Sequence, residues 1–526
     1  MAVNPEEKEL QRLNFDEKKN EPGEVETVVI SKEFGLSRIA IFRQVSMVVL
    51  ANMVVLSTGM ALGYPAVTLQ QLTDEDEPIT LSVSQASWFA SINAMSCPLG
   101  GLLSGYLLDK IGRKKTIFSI NVVAIISWGI MALTLSENTE VAFVQIMISR
   151  FLIGVATGLV SSPVGVYSAE VCHPDLRGRL TLGTSISTAG GILVIYILGY
   201  FIRDNWRLIS AIICVYSTVS AVLCIPIPES PAWLISKRRY KEAEVALKFF
   251  RGVPKEGKQK MFHHHLKSIT MSYDQETVKF AALFQRPEVY KPLMIMIAFF
   301  AFQQFSGIFV VIVYAVSFSI EAGVDIDPIV CAILIGVTRV LTTFLVGYIL
   351  DKWGRRPPAL LSGLGMTLCM FLLAATTWFP AVNIPFLPVA CIVIYIFTST
   401  LGLMTLPFSM ISEVFPQRVR GAAAGITICC AYLMSFLSIK MYPEMVRGMG
   451  KENVFSFYGA VSFLAIIFVY FYLPETKGKS LAEIEEYFRR GKKRIRIFFL
   501  VISIILRAIF LDKIILVLEM GPTITI

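Results

Sequence analysis

The chain is predicted to be an all-α membrane protein with twelve transmembrane helices in two pseudo-symmetric six-helix bundles. Three observations predict it. Of 526 residues, 55% are hydrophobic and 17% charged, and the apolar residues fall in long blocks separated by short charged loops. That is the composition of a chain whose solvent is lipid. The blocks run too long for strands and do not alternate, and only helices satisfy their own backbone groups in lipid without closing a barrel. Finally, charged motifs recur between the two halves of the chain at a nearly constant offset.

The elements follow in order. Residues 1–42 are polar ("NPEEKELQRLNFDEKKNEPGEVE"), lack an apolar signal core and are expected to form a cytosolic tail. The first bundle, residues 43–235, holds spans at Arg43 to Gly63, Ser84 to Leu107, Thr116 to Leu135, Val141 to Ser161, Leu182 to Phe201 and Leu208 to Ile227. Each is long enough to cross a hydrocarbon core of about 30 Å. Residues 236–290 are a basic cytosolic linker in which "KRRYKEAEVALKFFRG" reads as an amphipathic surface helix. The second bundle, residues 291–474, holds spans at Leu293 to Ser319, Ile329 to Leu350, Ala359 to Trp378, Phe386 to Ile411, Ala422 to Ile439 and Val454 to Tyr472. In the tail, residues 475–526, the apolar run Ile497 to Leu506 is too short to span. The tail is expected to be cytosolic or, with the basic neighbours of this run, interfacial on the inner leaflet.

Charge sets the orientation. Lys110, Arg113, Lys114 and Lys115 follow the second span, whereas the loops after spans 1, 3 and 7 carry Asp74, Glu75, Asp76, Glu77, Glu137, Glu140, Glu321, Asp325 and Asp327 without Lys or Arg. Basic loops stay inside, so both termini are expected in the cytoplasm. Arg203 and Arg207, and Arg447 and Lys451, are mild exceptions. The net charge of +9 is thus a topological signal, and no nucleic-acid partner is expected. The nine cysteines lie in or beside the spans without metal-ligand or disulfide spacing. His263 to His265 read as a solvated loop, no nucleophile or phosphate loop points to an enzyme, and no cofactor or metal is expected.

"SGYLLDKIGRKKTIF" from Ser104 returns as "VGYILDKWGRRPPAL" from Val346, and seven of ten positions from Gly105 and from Gly347 are identical. Asp351 follows Asp109 by 242 residues, Glu413 of "SEVFPQRVRG" follows Glu170 of "AEVCHPDLRG" by 243, and "PETK" follows "PESP" by 246. Three such echoes mean a duplicated six-helix unit.

Eight motifs in order, "GYLLDKIGRKK", "ISRFLIG", "YSAEVCHPDLRGR", "PESPAWL", "QQFSGI", "DKWGRR", "SEVFPQRVRG" and "LPETKG", resemble the set of the sugar porter branch of the major facilitator superfamily. "PETKGKSLAEIEEYF" is similar to the ending of insect facilitated trehalose or hexose transporters. The resemblance implies the major facilitator fold, with a sugar-like solute bound near the midplane and moved by alternating access of two rocking halves. It implies a plasma-membrane sugar transporter with trehalose or a hexose as solute. Another small organic solute, or a solute sensor that does not transport, are the other readings.

The resemblance further implies that Asp109, Arg113, Glu170 and Arg177 in one half, and Asp351, Arg355, Glu413 and Arg420 in the other, form ion-pair clusters. These would hold while the protein faces outward and release as it opens inward. No Asp or Glu falls in the core of any span, so nothing titratable is in place to couple protons, and uniport is expected. Arg150 lies about ten residues into its span, roughly 15 Å deep, and is expected to organise the first half through helix carbonyls. Arg339 lies at similar depth where similar glucose facilitators carry an amide. It either reads a polar or anionic ligand in the cavity or snorkels to water. Gln303, Gln304 and Tyr314 in "QQFSGIFVVIVY" are expected to face the solute, with Ser185, Phe309 and Phe408 where the family carries Gln, Asn and Trp, and Ile428 in place of another polar residue. These exchanges make the expected cavity less polar.

Overall fold

A computed structural model describes residues 38–490, apart from 77, 135–137, 174–175, 177, 179, 181, 252–283, 380–383 and 417–418. The expected tail regions 1–37 and 491–526, most of the linker, His263 to His265 and Arg177 lie outside the described residues.

The first half contains α1 (Arg38–Leu72), α2 (Val83–Ile111), α3 (Arg113–Ala132), α4 (Thr139–Val160) continued by α5 (Pro163–Val171), α6 (Gly183–Phe201) and α7 (Trp206–Cys224). Two surface helices follow, α8 (Pro231–Ser236) and α9 (Tyr240–Arg251). The second half contains α10 (Pro287–Phe305), α11 (Ile308–Val313), α12 (Ala315–Glu321), α13 (Pro328–Trp353), α14 (Arg356–Trp378), α15 (Leu387–Leu401), α16 (Leu406–Val414), α17 (Arg420–Met449) and α18 (Lys451–Tyr472), followed by α19 (Leu481–Arg490). Among the described residues, ten helical stretches are long and apolar enough to cross a bilayer. The other two of the twelve crossings are α2, diluted by Ser, Asn and Gly, and the seventh, split into α10, α11 and α12.

Local chemistry sets the ends. Ser82 and Gln85 close a reciprocal capping box on α2, and Asn138, Asn205 and Asp327 cap α4, α7 and α13 with their side chains. The seventh span, expected as one helix from Leu293 to Ser319, breaks at Gly307 (φ 91°) and again at Tyr314. The tenth breaks between Leu401 and Leu406. α17 runs ten residues past the expected end at Ile439, because Lys440 is buried against another helix and so does not end the span.

The sequence repeat is also a packing repeat. In the first half α1 packs on α6, α2 on α4 and α3 on α7; in the second, α10 packs on α17, α13 on α15 and α14 on α18. These are the same three pairings, shifted by six spans. α2 and α4 approach closely enough that a Cβ on Gly158 would sit 2.0 Å from the Cys97 carbonyl oxygen. Small residues permit this backbone contact, which drives helix association in lipid. Across the halves α2 packs on α17 and α6 on α13, again an equivalent pair.

The amphipathic helix expected in the linker is α9, which buries Ala243, Ala246 and Phe250. Arg43 Nη1 and Gln44 Nε2 donate to the Phe249 and Phe250 carbonyls at 3.2 and 3.0 Å, satisfying its last turn and tying it to α1. Lys291 Nζ does the same for α19, donating to the Phe488 carbonyl at 2.7 Å and tying it to α10.

Candidate functional site

The repeated charges gather on one face of the molecule, here called the motif face. Arg113 is buried at the start of α3, and its Nη2 and Nε donate to the two Glu170 carboxylate oxygens at 2.7 and 2.9 Å. Arg355 repeats the fork on Glu413, with Nη2 at 2.6 Å and Nε at 3.0 Å. Each Nη1 donates to the end of the preceding helix, on the Leu108 and Leu350 carbonyls. Such bidentate, charge-assisted pairs are the strong ones.

A second carboxylate completes each cluster. Glu229 of "PESP" accepts from the N–H groups of Arg113 and Lys114 at 2.9 and 3.2 Å, and Glu475 of "PETK" accepts from Arg355 and Arg356 at 3.0 Å each. Both sit on the N-termini of helices, where orphan N–H groups and the helix dipole favour an anion. Sequence reasoning registered PESP and PETK as an echo and missed this role, although the constant offset was the signal. Burial pushes the Glu475 carboxyl up, but the N–H donors of Arg356, Lys477 and Arg355 and the Arg355 charge outweigh it, so it titrates below the usual carboxylate value. The residues between the helices, Gly112 (φ 96°) and Gly354 (φ 85°), adopt the left-handed region. A Cβ there would meet Glu229 Oε2 at 2.4 Å or the Glu475 carboxylate at 2.9 Å.

One expected member, Asp109, is held only loosely, and two stand apart. The Asp109 side chain is 87% exposed, 4.0 Å from Arg113 Nη1, and Asp351 is exposed without an ion pair among the described residues. Arg420 Nε donates to the Phe415 carbonyl at 3.3 Å and meets no carboxylate among the described residues. The aspartates sit on the solvent side of the last turn of α2 and α13, which explains their separation from the buried forks.

Between the halves lies a cavity of about 480 Å³. Its wall reaches toward the motif face through Val160, Ser161 and Gly165 at the junction of α4 and α5 and through Thr405, Phe408 and Ile411 at the start of α16. The opposite face is bridged. Lys440 on α17 donates to Ser87 Oγ on α2 and lies over the Trp88 ring, Arg203 Nη2 meets Asp327 Oδ2 at 2.6 Å, and the Tyr196 hydroxyl donates to the Ile312 carbonyl at 2.6 Å. The Arg203 contact spans the halves, which accounts for one of the basic exceptions to the charge rule. Both forks are made while the cavity wall reaches toward their face. Each lies within one half, so tilting the halves does not stretch it.

Of the expected solute contacts, Ser185, Gln304, Phe309, Phe408, Arg339 and Ile428 line the cavity. Gln303 and Tyr314 do not. Gln303 is fully buried and its Nε2 donates to the Leu403 and Met404 carbonyls at 2.8 Å each, filling the break between α15 and α16. The Tyr314 hydroxyl donates to the Ile439 carbonyl at 3.3 Å and its ring lies 5.0 Å from Tyr442. Adjacent positions on a helix point about 100° apart, so Gln303 and Gln304 diverge. Arg150 donates to the Ala61 and Phe89 carbonyls at 3.0 and 3.2 Å with its guanidinium 5.1 Å from the Phe89 ring. Asn93, Thr188, Thr343 and Tyr432 also line the cavity and were not anticipated, because span periodicity alone does not say which face is interior.

The sequence profile described as sugar (and other) transporter matches residues 43–488. The facilitated trehalose transporter Tret1 of Drosophila mojavensis is 31% identical over 82% of this chain, which spans 50% of that protein. The Tret1-2 homolog of Drosophila sechellia is 30% identical over 84% of this chain and 90% of its own length. The chain thus spans about half the length of several curated relatives it matches. Among solved structures, the E. coli xylose transporter XylE in an inward-open conformation superposes with a TM-score of 0.71 at 24% identity, covering 84% of this chain and 99% of that one. A proton:xylose symporter structure with bound 6-bromo-6-deoxy-D-glucose gives 0.69 at 24% identity, covering 86% and 100%.

Proposed function

The chain belongs to the sugar (and other) transporter family, and from that premise we propose that it is a facilitative sugar transporter of the plasma membrane working by alternating access. Trehalose, the solute in the names of its fly relatives, or a hexose is the expected cargo. The observation that carries the reading is the placement of the cavity, between two equivalent bundles, bridged on one face and running toward the other. Residues 43–235 and 291–474 are the bodies that tilt. With the basic motif face in the cytoplasm, the conformation is inward-facing.

In this reading the Arg113–Glu170 and Arg355–Glu413 forks keep each half rigid, and the contacts of Lys440, Tyr196 and Arg203 form the outer closure. A solute that binds one state better shifts the balance by its differential affinity. The solute contacts are Gln304, Ser185, Phe309, Phe408 and Arg339. Among the described residues, no Asp or Glu lines the cavity, which supports uniport over proton coupling.

The test is uptake of radiolabelled trehalose and glucose into liposomes holding the purified protein, with and without an imposed proton gradient. Uniport predicts equilibration at the same level in both; accumulation only under the gradient overturns it.

A further inference from the structure

We propose that the cavity is built for an anionic sugar, a polyol carrying a carboxylate, and that Arg339 is the residue that receives the carboxylate. This rests on the transport reading above and names the class of its cargo.

The charge content of the wall carries the proposal. Among the described residues two guanidiniums line the cavity, Arg150 and Arg339, and no Asp or Glu does. The two cations differ. Arg150 is matched by two backbone carbonyls and two aromatic faces, Phe89 and Tyr64. Arg339 is 7% exposed, and its Nη1 has no hydrogen-bond partner. The nearby Tyr196 hydroxyl is engaged, donating to the Ile312 carbonyl. A buried guanidinium with an orphan donor and no counter-charge is costly, because it has lost water and gained nothing in return.

A neutral sugar offers hydroxyl oxygens and leaves the charge uncompensated. A carboxylate offers two parallel acceptors that match the guanidinium fork and cancel its charge. Also on the cavity wall, Gln304 directs Nε2 to Gln303 Oε1 and leaves its own Oε1 without a partner. An orphan amide oxygen requires a donor, which a carboxylate lacks and a hydroxyl supplies. A solute with both groups satisfies both orphans. The apolar wall formed by Phe309, Phe408 and Ile428 suits the C–H face of a sugar ring.

The test uses the full chain in liposomes, with D-glucuronate as the anionic probe and D-glucose and trehalose as neutral ones. A potential is imposed with potassium and valinomycin. The expected result is saturable glucuronate uptake that accelerates when the interior is made positive, exceeding uptake of either neutral sugar. Arg339→Gln is expected to lower glucuronate uptake at least tenfold, and Arg339→Lys to retain an intermediate rate. Glucuronate-evoked charge movement in the unaltered protein, read on a supported membrane, keeps the test open if the variants misfold. Uptake of glucose or trehalose without glucuronate, or glucuronate uptake indifferent to Arg339→Gln, overturns the anionic cargo and leaves the transporter standing. Failure of all three solutes to move overturns the transport reading itself.

Discussion

Lys440 Nζ on α17 lies 2.5 Å from Ser87 Oγ on α2 and 4.7 Å from the centre of the Trp88 ring, so a cation of the second half is held by an alcohol and an aromatic face of the first. A hydrogen bond and a cation–π contact out of bulk water together stabilise closure of this face by about 1 to 3 kcal/mol. Lys440→Met is expected to shift the population toward states open on this face. The check is pulsed electron resonance between spin labels at Glu75 and Phe379, whose distance distribution lengthens; an unchanged distribution refutes it.

Gln303 and Gln304 are expected to separate by readout. Gln303→Ala strands the Leu403 and Met404 carbonyls in a buried helix break, at about 1 to 3 kcal/mol for an unmet group. It lowers the melting temperature more than it lowers solute affinity, since Gln303 touches the solute site only through the Gln304 amide. Gln304→Ala weakens solute binding with a smaller effect on melting. Thermal unfolding in detergent, together with a binding titration, distinguishes them.

Glu170→Gln and Glu413→Gln each remove the anion from a bidentate fork inside one bundle. Each is expected to cost a few kcal/mol, since a buried guanidinium is left uncompensated. The forks share no partner, so the double variant is expected to lose the sum of the two in thermal unfolding. A strongly non-additive result contradicts two independent rigid halves.

Gly112→Ala and Gly354→Ala place a Cβ at φ 96° and 85° and against the capping carboxylates. Positive φ with extended ψ, a conformation essentially confined to glycine, alone costs about 1 to 3 kcal/mol, and displacing Glu229 or Glu475 adds to it. Gly105→Ala, with no atom within 4 Å of the added carbon, is the control expected to leave melting unaltered.

Glu475 titrates below the usual carboxylate value in the folded protein. Its contribution is therefore complete above the pKa of the unfolded chain and is lost as pH falls through the folded one. Melting temperature is expected to drop on acidification below the ordinary carboxylate range, and Glu475→Gln to show a shallower acid decline than the unaltered protein.

Much of this was legible in the sequence, and the reasons are physical. A bilayer requires long apolar helices, so all twelve crossings could be counted, and duplication left Arg113 and Arg355 in equivalent forks. The breaks at Gly307 and between Leu401 and Leu406 were hidden, because an apolar run reads alike whether or not it is continuous. Gln303 was misplaced for a related reason, since its partners are carbonyls freed by a break 100 residues away. Asp109 and Asp351 share the spacing of the forks, yet their helix face points to water, and no repeat records which side of a helix end is wet. Lys440 was read as the limit of a span because a lysine inside one is expensive, and its partner on α2 lies 353 residues earlier.

α9 is clipped to α1 by Arg43 and Gln44, while α19 is clipped to α10 by Lys291. If the halves rock as proposed above, each surface helix travels with a different half. The gap between them is a mechanical pointer: as the core rocks, the needle swings on the motif face. Under that mechanism a ligand or modification docked on one of these helices would sense the transport cycle, and by reciprocity weight it, without entering the solute path.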